Sequence, residues 1–324
     1  MNRKIIQSGP ATLSVSLPMN WVKKFDLEKG QELIVEEQGN SLRIKTIGFV
    51  EQEDAKINIT ELYPISTKII GMLYRAGYKK IKAIYTPNKI ITHRGRQQKE
   101  IDMIKNTFDH LIGMQLWEIG KKDNENYAMT IESAKPEQKE FNTVFNKLYF
   151  HLMHQSEQVY EAFSENEDIF DEAYLAERLI NQTHDFCIKI LVSFGYEDFK
   201  KTLPYYDYIS KLETIGDRYF EIATIYHEKK EKIDNNIINY LEKAKGFIEE
   251  SASLYRKSLI NKFNIREIIS LTNKIHSTIK DYKNKINNKK INSSISHNLY
   301  PIFLELYEII EILFFLNQDN FRER

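Results

Sequence analysis

The chain has 324 residues, 46 Lys+Arg against 46 Asp+Glu, and a single cysteine. At roughly 100–200 residues per domain this length implies about two domains, and 42% apolar residues exclude a disordered chain. Cys187 cannot form an internal disulfide, no run of about 18 apolar residues could span a membrane, and residues 1–9 lack a signal-peptide stretch, so a cytoplasmic location is expected. Neutral net charge would argue against nucleic acid only if it were evenly spread. Residues 1–47 carry +2, residues 48–135 carry +3, and residues 136–324 carry −5. Nine of the twelve glycines precede residue 136. This points to a turn-rich front joined near Pro136 to a back poor in helix breakers.

In the front segment, residues 3–8 and 13–17 read as strands around Ser8-Gly9-Pro10-Ala11-Thr12. Leu13, Val15 and Leu17 alternate with Ser14 and Ser16, the period of a half-buried strand. Pro18 then opens a short helix with Trp21, Val22 and Phe25 on its apolar side, and Gly30 marks a turn. Leu33 and Val35, then Leu42 and Ile44, form a second strand pair around Gln38-Gly39-Asn40-Ser41. About 45 residues in four short strands bury little core, so oligomerisation is the expected remedy.

The run Gly9–Trp21, followed by Phe25-Asp26-Leu27-Glu28-Lys29-Gly30-Gln31-Glu32-Leu33, resembles the AbrB/MazE/SpoVT swapped-hairpin module. The resemblance implies two chains interleaving hairpins into one small β-barrel that binds double-stranded DNA. It implies a homodimer or a higher even-numbered oligomer. Met19 stands where many relatives carry a basic residue after Leu-Pro, which removes one expected phosphate contact. From the residues themselves, Arg3, Lys4, Lys23 and Lys24 can neutralise phosphates, with Ser8, Thr12, Ser14 and Ser16 as neutral donors. The alternative is that these are ordinary solvated side chains.

Residues 48–135 read as a small α/β connector: strand 55–60, helix 66–77, strand 80–86, helix 97–112, then strands 114–119 and 127–133. Its order of elements is also familiar from archaeal proteins that join an AbrB module to a PhoU-like bundle. The basic stretch 89–99 reads as a solvated loop entering a helix, and neither His93 nor His110 has a metal-ligand neighbour.

From Glu137 onward the apolar period is helical: Phe141, Val144, Phe145, Leu148 and Leu152 begin it. Six helices are expected, over about 137–163, 168–195, 202–230, 234–262, 265–290 and 292–318. Three and three suggests an internal duplication. The fold class is therefore α+β multidomain, with domains 1–47, 48–135 and 136–324.

Leu212-Glu213-Thr214-Ile215-Gly216-Asp217 resembles the PhoU signature. In that family such carboxylates hold metal, so the resemblance implies a divalent or iron-type ion at Glu177, Glu213 and Asp217 and a link to phosphate-uptake signalling. The chain departs from the pattern at Asn181 and Ile309, where carboxylates are expected. The alternative is that Glu213 and Asp217 are paired polar residues, with Arg178 and Arg218 as partners; no cofactor is otherwise expected.

No phosphate loop, nucleophile elbow, His-Glu-x-x-His or Cys-x-x-Cys occurs, so no enzyme is expected. His151 and His154 read as partly buried residues, Cys187 beside His184 as a structural thiol, and Tyr205, Tyr206 and Tyr208 as core. The functional expectation is a DNA-binding transcriptional regulator whose helical part senses a signal or engages a phosphate-transport or signalling protein. The alternative is a dimeric adaptor whose bundle binds a transporter or kinase component.

Overall fold

The computed structural model describes residues 2–38, 41–46, 54–93, 96–230, 233–288, 291 and 294–320. The chain divides into two compact units, Met1–Glu53 and Asp54–Arg324. The sequence-predicted turn residues Gly39 and Asn40, Arg94 and Gly95 of the basic stretch, and residues 47 and 292 lie outside the described residues.

The first unit is two hairpins and one helix. Strands β1 (Ile5–Gly9) and β2 (Thr12–Val15) pair antiparallel, with Ile5 opposite Val15 and Gln7 opposite Leu13, and an irregularity between Gln7 and Gly9. Helix α1 (Met19–Lys24) starts from Pro18, whose fixed φ of −62° serves as its N-cap. Trp21 and Phe25 stack loosely at 5.6 Å, and Gly30 takes φ +91°, a conformation that glycine adopts without strain. Strands β3 (Leu33–Gln38) and β4 (Ser41–Thr46) form the second hairpin, Leu33 opposite Thr46 and Val35 opposite Ile44.

The second unit begins with a four-stranded sheet in the order β5-β6-β10-β9. Strand β5 (Asp54–Asn58) runs parallel to β6 (Lys80–Tyr85), so the chain must cross over, which it does through α2 (Ser66–Arg75). Strands β9 (Met114–Lys122) and β10 (Glu125–Glu132) complete the sheet antiparallel. Residues 89–99 are not a plain loop: β7 (Ile90–His93) and β8 (Arg96–Lys99) pair as a ribbon, Ile91 opposite Gln98 and Thr92 opposite Gln97. That ladder takes the residues expected to start the next helix, so α3 begins three residues late and spans Glu100–Asp109.

Six long helices follow: α4 (Phe141–Glu165), α5 (Phe170–Phe194), α6 (Thr202–Lys229), α7 (Asn235–Leu259), α8 (Ile265–Asn287) and α9 (Ser296–Leu316). Asp234 and Asn264 cap α7 and α8 by accepting the backbone N–H two residues on, at 2.6 and 3.0 Å. Helices α4, α5 and α6 pack together, α8 and α7 each pack on α9, α4 packs on α7, and α6 packs on α9. The first helices of the two sets thus meet, as do the third helices. Phe145, Tyr149, Tyr208 and Tyr255 interlock at that junction with ring centroids 4.5–6.3 Å apart.

The sheet and the helices share one continuous core, from Ala55, Ile81 and Ala83 through Phe145 and Tyr208 to Leu313. Lys189 on α5, 1% exposed, pairs with Glu132 of β10 at 2.9 Å and lies 4.5 Å over the Tyr74 ring. Pro136, the expected boundary, is itself buried within this unit.

Candidate nucleic-acid interface

The irregularity in β1 brings predicted site residues together: the Ser8 and Ser14 hydroxyls hydrogen-bond at 2.6 Å across the hairpin. Thr12 sits at the start of β2 beside the turn, and Ser16 follows the end of that strand; both are exposed. Arg3 and Lys4, just before β1, are also exposed. Lys23 and Lys24 form the last turn of α1, with the Lys24 ammonium 5.3 Å from the Phe25 ring centre. The eight residues therefore lie along the β1–β2 hairpin, just before and after it, and at the end of α1, all of them exposed. Such a set can neutralise phosphates and donate neutral hydrogen bonds to them.

Among the described residues of the first unit, none is buried. Leu17, Trp21, Val22, Phe25, Leu27 and Leu33 reach only half-burial. Ile5, Leu13 and Leu42 are 60–70% exposed, and Ile6, Val15, Ile34 and Val35 are exposed as well. Water-facing aliphatic side chains at this density mark a surface that another surface covers. Alternation in β2 concealed this, but the signal was present: Ile5-Ile6 and Leu33-Ile34-Val35 are unbroken apolar runs, the pattern of strands covered on both faces.

The three predicted metal residues do not assemble a metal centre. Among the described residues, no group of three or more His, Cys, Asp or Glu side chains is arranged to hold an ion. Glu177 is 3% exposed and accepts a 2.8 Å hydrogen bond from Asn181, the residue that replaced the expected carboxylate. Burial pushes the Glu213 carboxyl above its ordinary range; Asp185 and Glu177 push the same way, against His184 and Arg75. Arg75 forms a 2.7 Å ion pair with Asp185. Asp217 is half-buried on the same helix as Glu213. The residues therefore do not fit the expected ion. Of the expected arginine partners, Arg178 donates to His110, and Arg218 to Glu221 at 2.7 Å and to Asn298 at 3.3 Å.

Cys187 is fully buried, which pushes its thiol up and away from the reactive thiolate. Tyr205 and Tyr208 are core residues, and burial raises both hydroxyls. No helix among the described residues is long and apolar enough to cross a membrane.

A protein-family model described as "Antidote-toxin recognition MazE, bacterial antitoxin" matches residues 6–51. The match covers both hairpins and α1 and ends with the first unit. No curated protein and no solved structure matches the chain.

Proposed function

We propose that the chain is a DNA-binding transcriptional regulator that dimerises through residues 1–53 and grips a pseudo-palindromic duplex. The observation that carries this reading is the row of exposed aliphatic strand residues beside the basic ends of β1 and α1, within the segment similar to MazE-type antitoxins. A second copy would cover the aliphatic side chains and leave Arg3, Lys4, Lys23 and Lys24 as paired cationic edges. Two-fold symmetry then matches the symmetry of a duplex site. The second unit, by this reading, serves a signal or a protein partner and no catalysis. Its PhoU-like segment Leu212–Asp217 and its two sets of three helices favour a link to phosphate uptake in the cytoplasm.

The family description also favours a related reading, in which the chain is an antitoxin-type regulator and its partner is a toxin protein. Both readings place DNA on the first unit. The full chain should bind duplex DNA at about 50 mM salt, with affinity falling steeply toward about 200 mM. The double substitution Arg3→Ala/Lys4→Ala should reduce both affinity and the salt slope, by about one slope unit per lost phosphate contact. Unchanged affinity and slope in that variant would remove the assignment of this surface. Co-purification with a transporter or kinase component and no DNA retention would instead support the adaptor alternative.

A further inference from the structure

The net charge of −5 over residues 136–324 conceals a local reversal. Residues 274–290 hold six lysines and one aspartate. The second half of α8, residues 274–287, carries four of these lysines and the aspartate. The helix buries Ile268, Leu271, Ile275, Thr278 and Tyr282. Its opposite stripe is Asn273, Ser277, Lys280, Asn284 and Asn287, at spacings of four, three, four and three, every one exposed. His276 and Lys283 flank the stripe and are exposed too.

Four lysines against Asp281 leave this half of α8 cationic, with Glu311 of α9 beside Asn273 at its N-terminal end. Asp281, the lone acid, accepts a 2.5 Å hydrogen bond from Tyr240 and lies 3.8 Å from Lys285. Lys274 is paired with Glu250 on α7 at 2.9 Å. Lys283 sits over the Tyr300 ring and Lys243 over the Tyr240 ring, 5.5 and 5.2 Å from the centres. Aromatic faces hold those side chains in place without neutralising them. The stripe runs about 21 Å along the helix, at 1.5 Å per residue.

We propose that this face of α8 is a second polyanion-binding surface whose ligand is the phosphate backbone of double-stranded DNA. Two observations select that ligand. Ser277, Asn284 and Asn287 adjoin Lys280 and Lys283, and such neutral donors together with cations are the groups that contact phosphate and sugar. Among the described residues 273–288 no large apolar side chain is exposed; the exposed Ile269 and Phe314 lie by Asn273, about 10 Å along the helix from Lys280, whereas a lipid surface is held by apolar anchors beside the charge. No base-reading pattern accompanies the stripe, so the contact is non-specific in sequence. The choice of DNA among polyanions rests on the regulator reading above; the cationic stripe itself does not.

The test uses the full chain, a mixed-sequence duplex and fluorescence anisotropy across about 50–200 mM salt. Lys280→Gln/Lys283→Gln should lower the salt slope by about two units per protomer and weaken low-salt binding roughly tenfold. The same charge change at Lys200→Gln/Lys201→Gln, before the start of α6, should leave both unaltered. Equal weakening by that control would reduce the effect to net charge and overturn the site. An unchanged slope in the α8 variant overturns it as well, whatever Arg3→Ala/Lys4→Ala does. If the α8 variant weakens binding and the Arg3/Lys4 variant does not, the α8 surface stands and the first-unit assignment falls. Loss of binding to phosphatidylserine vesicles with duplex binding intact would make the ligand a membrane, and would overturn the proposal.

Discussion

The two units hold themselves together in opposite ways. From Asp54 onward, burial is continuous: Phe145, Tyr149, Tyr208 and Ile215 are wholly removed from water, and even the charged Lys189 is enclosed and paired. In the first unit, Ile5, Ile6, Leu13, Val15, Ile34, Val35 and Leu42 face solvent instead. The backbone hydrogen bonds of its hairpins are made, yet few side chains contribute hydrophobic stabilisation at about 25 cal/mol per Å² buried. The larger unit carries its stability within one chain, whereas the smaller one leaves its strand aliphatics exposed, the feature that the proposed dimer would cover. By the proposed reading, assembly and folding of the first unit are coupled, and a change in protomer arrangement would reach the proposed DNA contacts.

The sharpest way to break this comparison is inside the larger unit. Lys189→Met leaves Glu132, with only 7% of its side chain exposed, as a buried charge without its partner. Loss of about 3–5 kcal/mol is expected, measured by denaturant unfolding of the full chain. Lys189→Met/Glu132→Leu should recover most of it, since two apolar groups of similar shape remove the stranded charge. A double variant as unstable as the single one would show that packing, not charge, sets the loss.

The smaller unit should respond differently. Leu13→Asp/Val35→Asp touches side chains that are already exposed in one chain and lie outside the larger unit, so the main unfolding transition should stay as it was. Self-association should weaken by about 100-fold or more, because burying each such side chain is worth roughly 1.5–3 kcal/mol. Sedimentation across a concentration series reads this directly. An unchanged dimer would mean that these strands are not the covered surface.

How much of this was visible in the sequence follows the same division. The six long helices were legible because each buries a stripe of period 3.6 against its neighbours, and Phe141, Phe145, Leu148 and Leu152 announce the first of them. The ribbon β7–β8 was not, since Arg96, Gln97, Gln98 and Lys99 carry no apolar period to mark a strand. Nor did the sequence reveal that α2 packs on α5 and Lys189 reaches Glu132, because such contacts depend on tertiary placement. At the candidate site, the basic and hydroxyl residues were found by type. Their setting among exposed aliphatic strands required the burial of each residue to be known. The α8 stripe was missed because a net of −5 over 189 residues averaged it away.

The smallest effect concerns Glu213, where the carboxylate motif survives without a metal centre. Its folded-state carboxyl titrates above the unfolded value, chiefly because burial opposes the charge. A group shifted in that direction supports the fold while protonated, and the support is lost as pH rises from the unfolded carboxylate range through the raised folded value. At neutral pH the carboxylate is therefore a liability, set against the favourable Arg75 and His184 charges and worsened by Asp185 and Glu177. Glu213→Gln keeps the shape and deletes the charge. It should raise Tm at neutral pH by about 2 °C, the scale of 1 kcal/mol in a unit this large, and the gain should shrink as pH falls toward the carboxylate range. A lower Tm at neutral pH would mean that the ionised carboxylate is held by partners strong enough to outweigh its burial, and a metal-assisted arrangement would then be the first thing to seek by elemental analysis.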